Sequence, residues 1–377
     1  MKMKAVVFAI AANLAAFSVH AEDTIKIGLI QPLTGSVAYN GTADVNGSKL
    51  AVQQRNAKGG VLGKQVELII EDGQCQPSKT VSAAEKLIQK DKVPVISGAF
   101  CSSATIAAMS VIEKYKVPFV TGVSSKKDLT ERGNEWFFRS AETDSLMAHA
   151  FAEILIDQLK LKRIAYIGVN DDWGRGGIEE FSTQIEKLGG ETVSKLYFDH
   201  GATDFYTMLT RLRAAKPDGV FVAAETQDGS ILVKQMKEVG LQANIFGVGS
   251  WATPDFAKLT GDASDGIHAA VPYAHTIQRP ENQAFVKEYQ AAFNEPPGKY
   301  STAGYNALNI ILDAIERAGE ASPEKIRDAL KATDYQGPNG KFQFDAKHQA
   351  YGFDAVLVKL NKGQPDIIAS TSVTSSD

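Results

Sequence analysis

Cysteine and histidine are scarce in this 377-residue chain, and their scarcity excludes much chemistry. The only thiols are Cys75 and Cys101, so no four-ligand zinc site can be drawn from cysteine spacing. Beyond His20, the histidines His149, His200, His268, His275 and His348 lie far apart, with no pair at helical spacing. No metal site is expected. After the first residues, no apolar run approaches the roughly 20 residues that a bilayer crossing requires. A Gly-x-x-x-x-Gly-Lys-Ser/Thr loop is missing, and so is a Gly-x-Ser-x-Gly elbow, which argues against nucleotide hydrolysis and against an α/β-hydrolase. Basic residues are scattered rather than clustered, so nucleic acid is not an expected partner.

What is present begins with an export signal. Lys2 and Lys4 precede an apolar run from Ala5 to Phe17, and Val19-His20-Ala21 supplies small residues for cleavage. The expected mature chain starts at Glu22, without a cysteine to carry a lipid anchor, and is expected to diffuse freely in a periplasm. Of the 40 lysines and arginines, removing Lys2 and Lys4 leaves 38 against 44 acidic residues, a formal charge of −6. An oxidising compartment favours a Cys75–Cys101 disulfide. Closing that loop of 26 positions would add roughly 3 to 4 kcal/mol on the loop-entropy model. The alternative is two free buried thiols.

The chain is longer than the roughly 250 to 300 residues that one hydrophobic core serves, so two lobes are expected. Short β-branched runs alternate with amphipathic stretches, the pattern of an α/β fold with parallel sheets. The first series has strands at Ile25–Ile30, Val66–Glu71, Val93–Ile96 and Phe119–Thr121, with helices at Asp44–Asn56, Ser78–Gln89 and Ser102–Lys114. A second series starts after Arg139, with strands at Ile164–Val169, Thr192–Phe198, Val220–Ala223 and Asn244–Val248. The last third reads as three helices followed by strands near Phe342–Phe344 and Ala355–Leu360, then a frayed tail from Ser370 to Asp377.

Enzyme signatures are thin. Gly247-Val-Gly249-Ser-Trp-Ala252 follows a strand, as a dinucleotide fingerprint does, but Thr253-Pro254 interrupts the helix that the pyrophosphate needs. Ser124-Ser-Lys-Lys127 spells the Ser-x-x-Lys of penicillin-binding enzymes without its companion boxes. No cofactor is expected. More informative is Gly98-Ala-Phe100-Cys101-Ser102-Ser103, where a strand ends and a hydroxyl-rich helix begins. Free backbone N–H groups and the helix dipole suit such a turn to a carboxylate, with Ser102 as a further donor. The plainer reading is that Ser102 or Ser103 only caps the helix. A second polar strand end, Thr121-Gly-Val123-Ser124-Ser125, favours the ligand site, because open α/β sheets bind at the carboxyl ends of strands.

These segments, with Ile27–Gly35, Asn56–Gly60, Asp72–Cys75 with Pro77, Leu129–Gly133 with Arg139, and Asp172–Gly174, resemble the branched-chain amino-acid type of periplasmic binding protein along nearly the whole mature chain. The resemblance implies a type I fold: two Rossmann-like lobes with parallel sheets, joined by a three-segment hinge around the ligand. Lobe 1 would comprise 22–143 and 274–352, and lobe 2 would comprise 144–273 and 353–377. It also implies that Ser102 and the amides near Val123 and Ser125 hold a ligand carboxylate and part of its ammonium. Phe100 and Asn40 would line the first-lobe wall, Trp173 would close as a lid, Glu225 and Ser250 would complete the pocket, and Tyr300 would stand near the hinge. For Trp173 and Tyr300 the alternative is ordinary packing.

Two departures bear on the ligand. Gly249 stands where leucine binders of this family place the acid that neutralises an ammonium, and Asn40 replaces an aromatic. Glu225 is positioned to supply the missing charge, unless it points to solvent at the cleft rim. The expected function is a monomeric receptor, not an enzyme, that delivers a small amino acid or related amine-bearing carboxylate to a membrane ABC permease. The alternatives are an aromatic or aliphatic carboxylate without an amine, or a sensor built on the same fold.

Overall fold

The computed structural model describes residues 24–375; the signal expected at 1–21 and the last two residues of the tail lie outside them. Strand β1 (Ile25–Gln31) is buried at all positions but one, as a strand covered by helices on both faces must be. It pairs in parallel with β2 (Val66–Asp72) and β3 (Ile96–Ser97), and β4 (Phe119–Thr121) and β5 (Phe137–Arg139) complete a five-stranded parallel sheet in the order β2-β1-β3-β4-β5. Between them run α1 (Ala38–Ala57), α2 (Pro77–Gln89) and α3 (Ser102–Tyr115).

The second sheet opens with α4 (Asp144–Leu159) and β6 (Arg163–Val169). It continues through α5 (Asp172–Lys187), β7 (Glu191–Phe198), α6 (Tyr206–Ala214), β8 (Gly219–Ala224), α7 (Thr226–Glu238), β9 (Asn244–Gly249), α8 (Pro254–Thr260) and β10 (His268–Val271). The chain then forms α9 (Pro280–Phe293), α10 (Lys299–Ala318) and α11 (Pro323–Lys331), and α10 packs along α1 under the first sheet. Four strands close the chain: β11 (Tyr335–Gly337), β12 (Gly340–Phe344), β13 (Ala350–Asn361) and β14 (Gln364–Ser372). The second sheet runs β11-β12-β13-β10-β9-β8-β6-β7, and β14 also pairs with β13. It is parallel from β10 through β9, β8 and β6 to β7, whereas β11 to β14 and the β10–β13 pair are antiparallel.

The chain therefore crosses to the second sheet after β5, returns after β10 to pack α10 along α1, and comes back to the second sheet through the β11–β13 segment. Arg139, at the end of β5, ties two of these passages together. Its backbone N–H donates to His348 at 3.0 Å, and its buried guanidinium donates to Gln349, to the carbonyls of Ser124, Lys126 and Lys127, and to Thr130. The sequence reading of an α/β fold with parallel sheets holds, as does the Cys75–Cys101 disulfide, whose Cα atoms lie 5.4 Å apart.

Several expected boundaries are corrected. Helix α1 starts six residues before Asp44 because Gly41 and Gly47 are contact points: an added Cβ would lie 2.0 Å from the Pro32 carbonyl oxygen and 1.8 Å from that of Ser301. Pro254 begins a helix rather than breaking one, since Thr253 Oγ1 accepts from Phe256 N–H and proline needs no acceptor at the first helical position. The tail is not frayed from Ser370 onward: Ser370 to Ser372 pair with β13.

Candidate functional site

The carboxyl ends of the strands of both sheets face one cleft. From the first sheet it is lined by Phe100, Ser102, Val123 and Ser125; from the second, by Trp173 and Glu225; and Tyr300 comes from the start of α10. Seven of the nine expected binding residues thus converge. Asn40 lines a neighbouring crevice and meets the cleft through Glu225, while Ser250 lies behind it, accepting from Thr226 Oγ1 at 2.7 Å.

Ser102 is the first helical residue of α3 rather than its cap; the cap position is Cys101, which makes no side-chain capping bond. The Ser102 hydroxyl accepts from Lys126 N–H at 3.3 Å, and the first-turn amides of α3 have no acceptor within the helix. The Ser125 hydroxyl is committed elsewhere, donating to the Asp144 carboxyl at 3.1 Å. The Val123 and Ser124 amides turn back to Thr121 Oγ1 at 3.5 and 3.2 Å. The groups of this corner left free to meet an anion are therefore Ser102, the α3 amides and the Ser125 amide. Phe100 and Tyr300 form an aromatic floor with ring centroids 4.8 Å apart.

Glu225 follows β8, whose last residue Ala224 pairs with Gly249 of β9. Gly249 has φ +102°, and a Cβ there would lie 3.3 Å from Trp173 and 3.6 Å from Glu225 Oε2. The glycine leaves room for the neighbouring strand's carboxylate, which takes up the space that a side chain at 249 would enter. Glu225 is buried, not at a solvent rim. Its Oε2 accepts from Asn40 Nδ2 at 2.9 Å and from the Tyr300 hydroxyl, both on the first-sheet side, so this carboxylate bridges the cleft. Burial pushes its pKa up; Lys299 and the Tyr300 hydroxyl offset that only in part. No hydrogen bond to Oε1 is formed among the described residues.

Sequence reasoning missed three polar lining residues, Asp171, His200 and Lys299. The first two stand just past the carboxyl ends of β6 and β7, a signal present in the strand pattern. Lys299 is buried and pairs with Glu142 at 2.9 Å. His200 bonds to Asp171 at 3.1 Å; burial opposes its charge, but Asp171 and Asp228 outweigh burial and push its pKa up to about 10. Asp44, buried beside Ser48 and accepting from Gln31 at 2.7 Å, is pushed up to about 8 by burial. Both groups bind protons more tightly folded than unfolded, so each contributes most below its unfolded pKa and loses that contribution as pH rises through its folded value. Denaturant titrations are expected to show stability falling steadily from pH 7 to pH 10; a flat profile would contradict these environments.

The sequence profile of the family described as periplasmic binding protein matches residues 24–365. The chain belongs to that family. As a periplasmic binding protein it is a receptor rather than an enzyme, and among the described residues no helix is long and apolar enough to cross a membrane. It is 31% identical over 351 residues to the leucine-, isoleucine-, valine-, threonine- and alanine-binding protein of Pseudomonas aeruginosa, covering 93% of each chain. The branched-chain amino acid transporter substrate-binding protein LivJ of Streptococcus pneumoniae, solved with isoleucine, superimposes with TM-score 0.85 at 27% identity, over 93% of this binding protein and 99% of that one. A solute-binding protein of an ABC transporter from Rhodopseudomonas palustris, solved with 3,4-dihydroxybenzoic acid, also gives 0.85, at 26% identity, over 94% and 99%. The fold is that of these type I binding proteins: two lobes with a three-segment hinge and the cleft between them.

Proposed function

We propose that this protein captures a small amino acid, or a related amine-bearing carboxylate, between its lobes and delivers it to an ABC permease. The observation that carries this reading is Glu225, a buried carboxylate in the cleft whose Oε1 has no donor among the described residues, standing across from an amide-rich turn built for a carboxylate. A zwitterion answers both. The amino-acid-binding names of its relatives point the same way. Lobes of 22–143 with 274–352, and 144–273 with 353–377, would close by hinge motion as the ligand touches both, since only differential affinity for the closed state shifts the population. The chain works as a monomer after cleavage behind Ala21.

Mass spectrometry of ligand co-purified from the periplasm, followed by calorimetry with amino acids, tests the reading; a co-purified ligand without an amine overturns it. Ser102→Ala is expected to weaken carboxylate binding by about 1 to 3 kcal/mol with little change in the unliganded melting temperature. Unchanged affinity would make Ser102 a purely structural residue. A second reading, an aromatic carboxylate without an amine, is favoured by the Phe100–Tyr300 floor, the adjacent Trp173 and the dihydroxybenzoate relative.

A further inference from the structure

On the second-lobe side, the cleft wall is charged where an aliphatic side chain would want hydrocarbon. His200 and Asp171 both line it, and Asp228, in the first turn of α7, backs His200. His200 Nε2 bonds to Asp171 Oδ2 at 3.1 Å, but Nδ1 stands 3.8 Å from Asp228 Oδ2, beyond hydrogen-bond reach. Asp228 Oδ1 is buried without any partner, although the residue is only 2% exposed. His200 thus presents on the cleft wall an Nδ1 without a hydrogen bond to the protein, and behind it stands a carboxylate with one unpartnered oxygen. Leaving the Asp228 oxygen buried and unpaired is costly, and the partly exposed His200 loses its water when a ligand covers it.

The charges narrow what can answer them. An added cation meets the imidazolium, which its two carboxylates keep protonated; an added anion meets Asp171 and Asp228. An apolar side chain removes water from the cluster and returns nothing. A neutral group that both accepts and donates satisfies it, taking the Nδ1–H and giving its own hydrogen to a flanking carboxylate. We propose that the His200–Asp171–Asp228 cluster selects ligands bearing a hydroxyl or carboxamide on the side chain, so that the ligand class is small hydroxy or amide amino acids rather than branched-chain aliphatic ones. This rests on the amino-acid reading of the cleft.

Isosteric pairs test it in the intact mature protein. Calorimetry is expected to show threonine bound at least about tenfold more tightly than valine, or asparagine at least about tenfold more tightly than leucine. In His200→Leu and in the shape-conserving Asp228→Asn, with folding checked by circular dichroism, that preference is expected to fall to about threefold or less. Equal or tighter binding of valine and leucine by the wild type overturns the inference while leaving the amino-acid reading intact; a water held at the cluster would give this result. If only the deaminated compounds bind, the amino-acid reading fails. The side-chain preference is then read from deaminated threonine against deaminated valine, where a preference below about threefold overturns it. Failure of every compound in both series counts against both.

Discussion

Lys299→Met is expected to destabilise the unliganded protein by about 3 to 5 kcal/mol, because it removes one half of a buried ion pair and leaves the other half charged. Lys299 Nζ lies 2.9 Å from Glu142 Oε1, and the two side chains are 8% and 6% exposed. Burial alone pulls a lysine pKa down, yet Glu142 and Glu225 raise this one above its ordinary value, so the ammonium is held charged by its neighbours. Methionine preserves most of the stem that lies beside the Tyr300 ring but returns no charge to Glu142, which already repels Asp144. The effect is specific to burial. Removing Arg163 from its exposed pair with Glu191 is expected to cost under about 1 kcal/mol. Glu142→Gln added to Lys299→Met is expected to recover much of the loss, since the orphaned charge goes with it. Urea titration of the four proteins measures this; a single-variant cost below about 1 kcal/mol would show that Glu142 finds another partner.

The sequence made the parallel strands legible where apolar runs were continuous, as in β1 and β6, because such runs need covering on both faces. It was less legible where a residue's local preference is outweighed by a distant contact. Gly41 and Gly47 look like interruptions of a helix, and only the approach of Pro32 and Ser301 shows why a side chain is excluded there. Strands β5 and β10 are three and four residues long, too short for periodicity to separate them from loop. The same division runs through the site. Ser102, Val123 and Ser125 follow strand ends visible in the sequence. The environment of His200, in contrast, is made by Asp171, which caps α5, and Asp228 of α7, and Lys299 acquires its surroundings only when α10 returns to the cleft beside Glu142. Glu225 is the intermediate case: Gly249 pointed to a missing acid, and the register of β8 on β9 with the room left by glycine brings a carboxylate from the neighbouring strand beside that position.

On the amino-acid reading, discrimination between a ligand with an amine and one without it depends on Glu225. Wild type is expected to bind its amino acid about a hundredfold more tightly than the same molecule with the amine replaced by hydrogen, because the deaminated ligand forfeits a charge pair and buries Glu225 unanswered. In Glu225→Gln the carboxamide oxygen can still accept from Asn40 or Tyr300, so the bridge between the lobes survives in part while the charge does not. A neutral amide loses less when the cation is missing, and the ratio is expected to collapse to a few-fold, with weaker amino-acid binding and unchanged or improved binding of the deaminated ligand. Asn40→Ala separates the two roles of the carboxylate. It removes a bridging donor without touching the charge, so it is expected to weaken both ligands alike and leave their ratio near the wild-type value. Calorimetry on the three proteins decides between the readings. If wild type binds the deaminated ligand as tightly as the amino acid, Glu225 is a latch between lobes and not an ammonium site, and the aromatic floor of Phe100 and Tyr300 becomes the feature that selects the ligand.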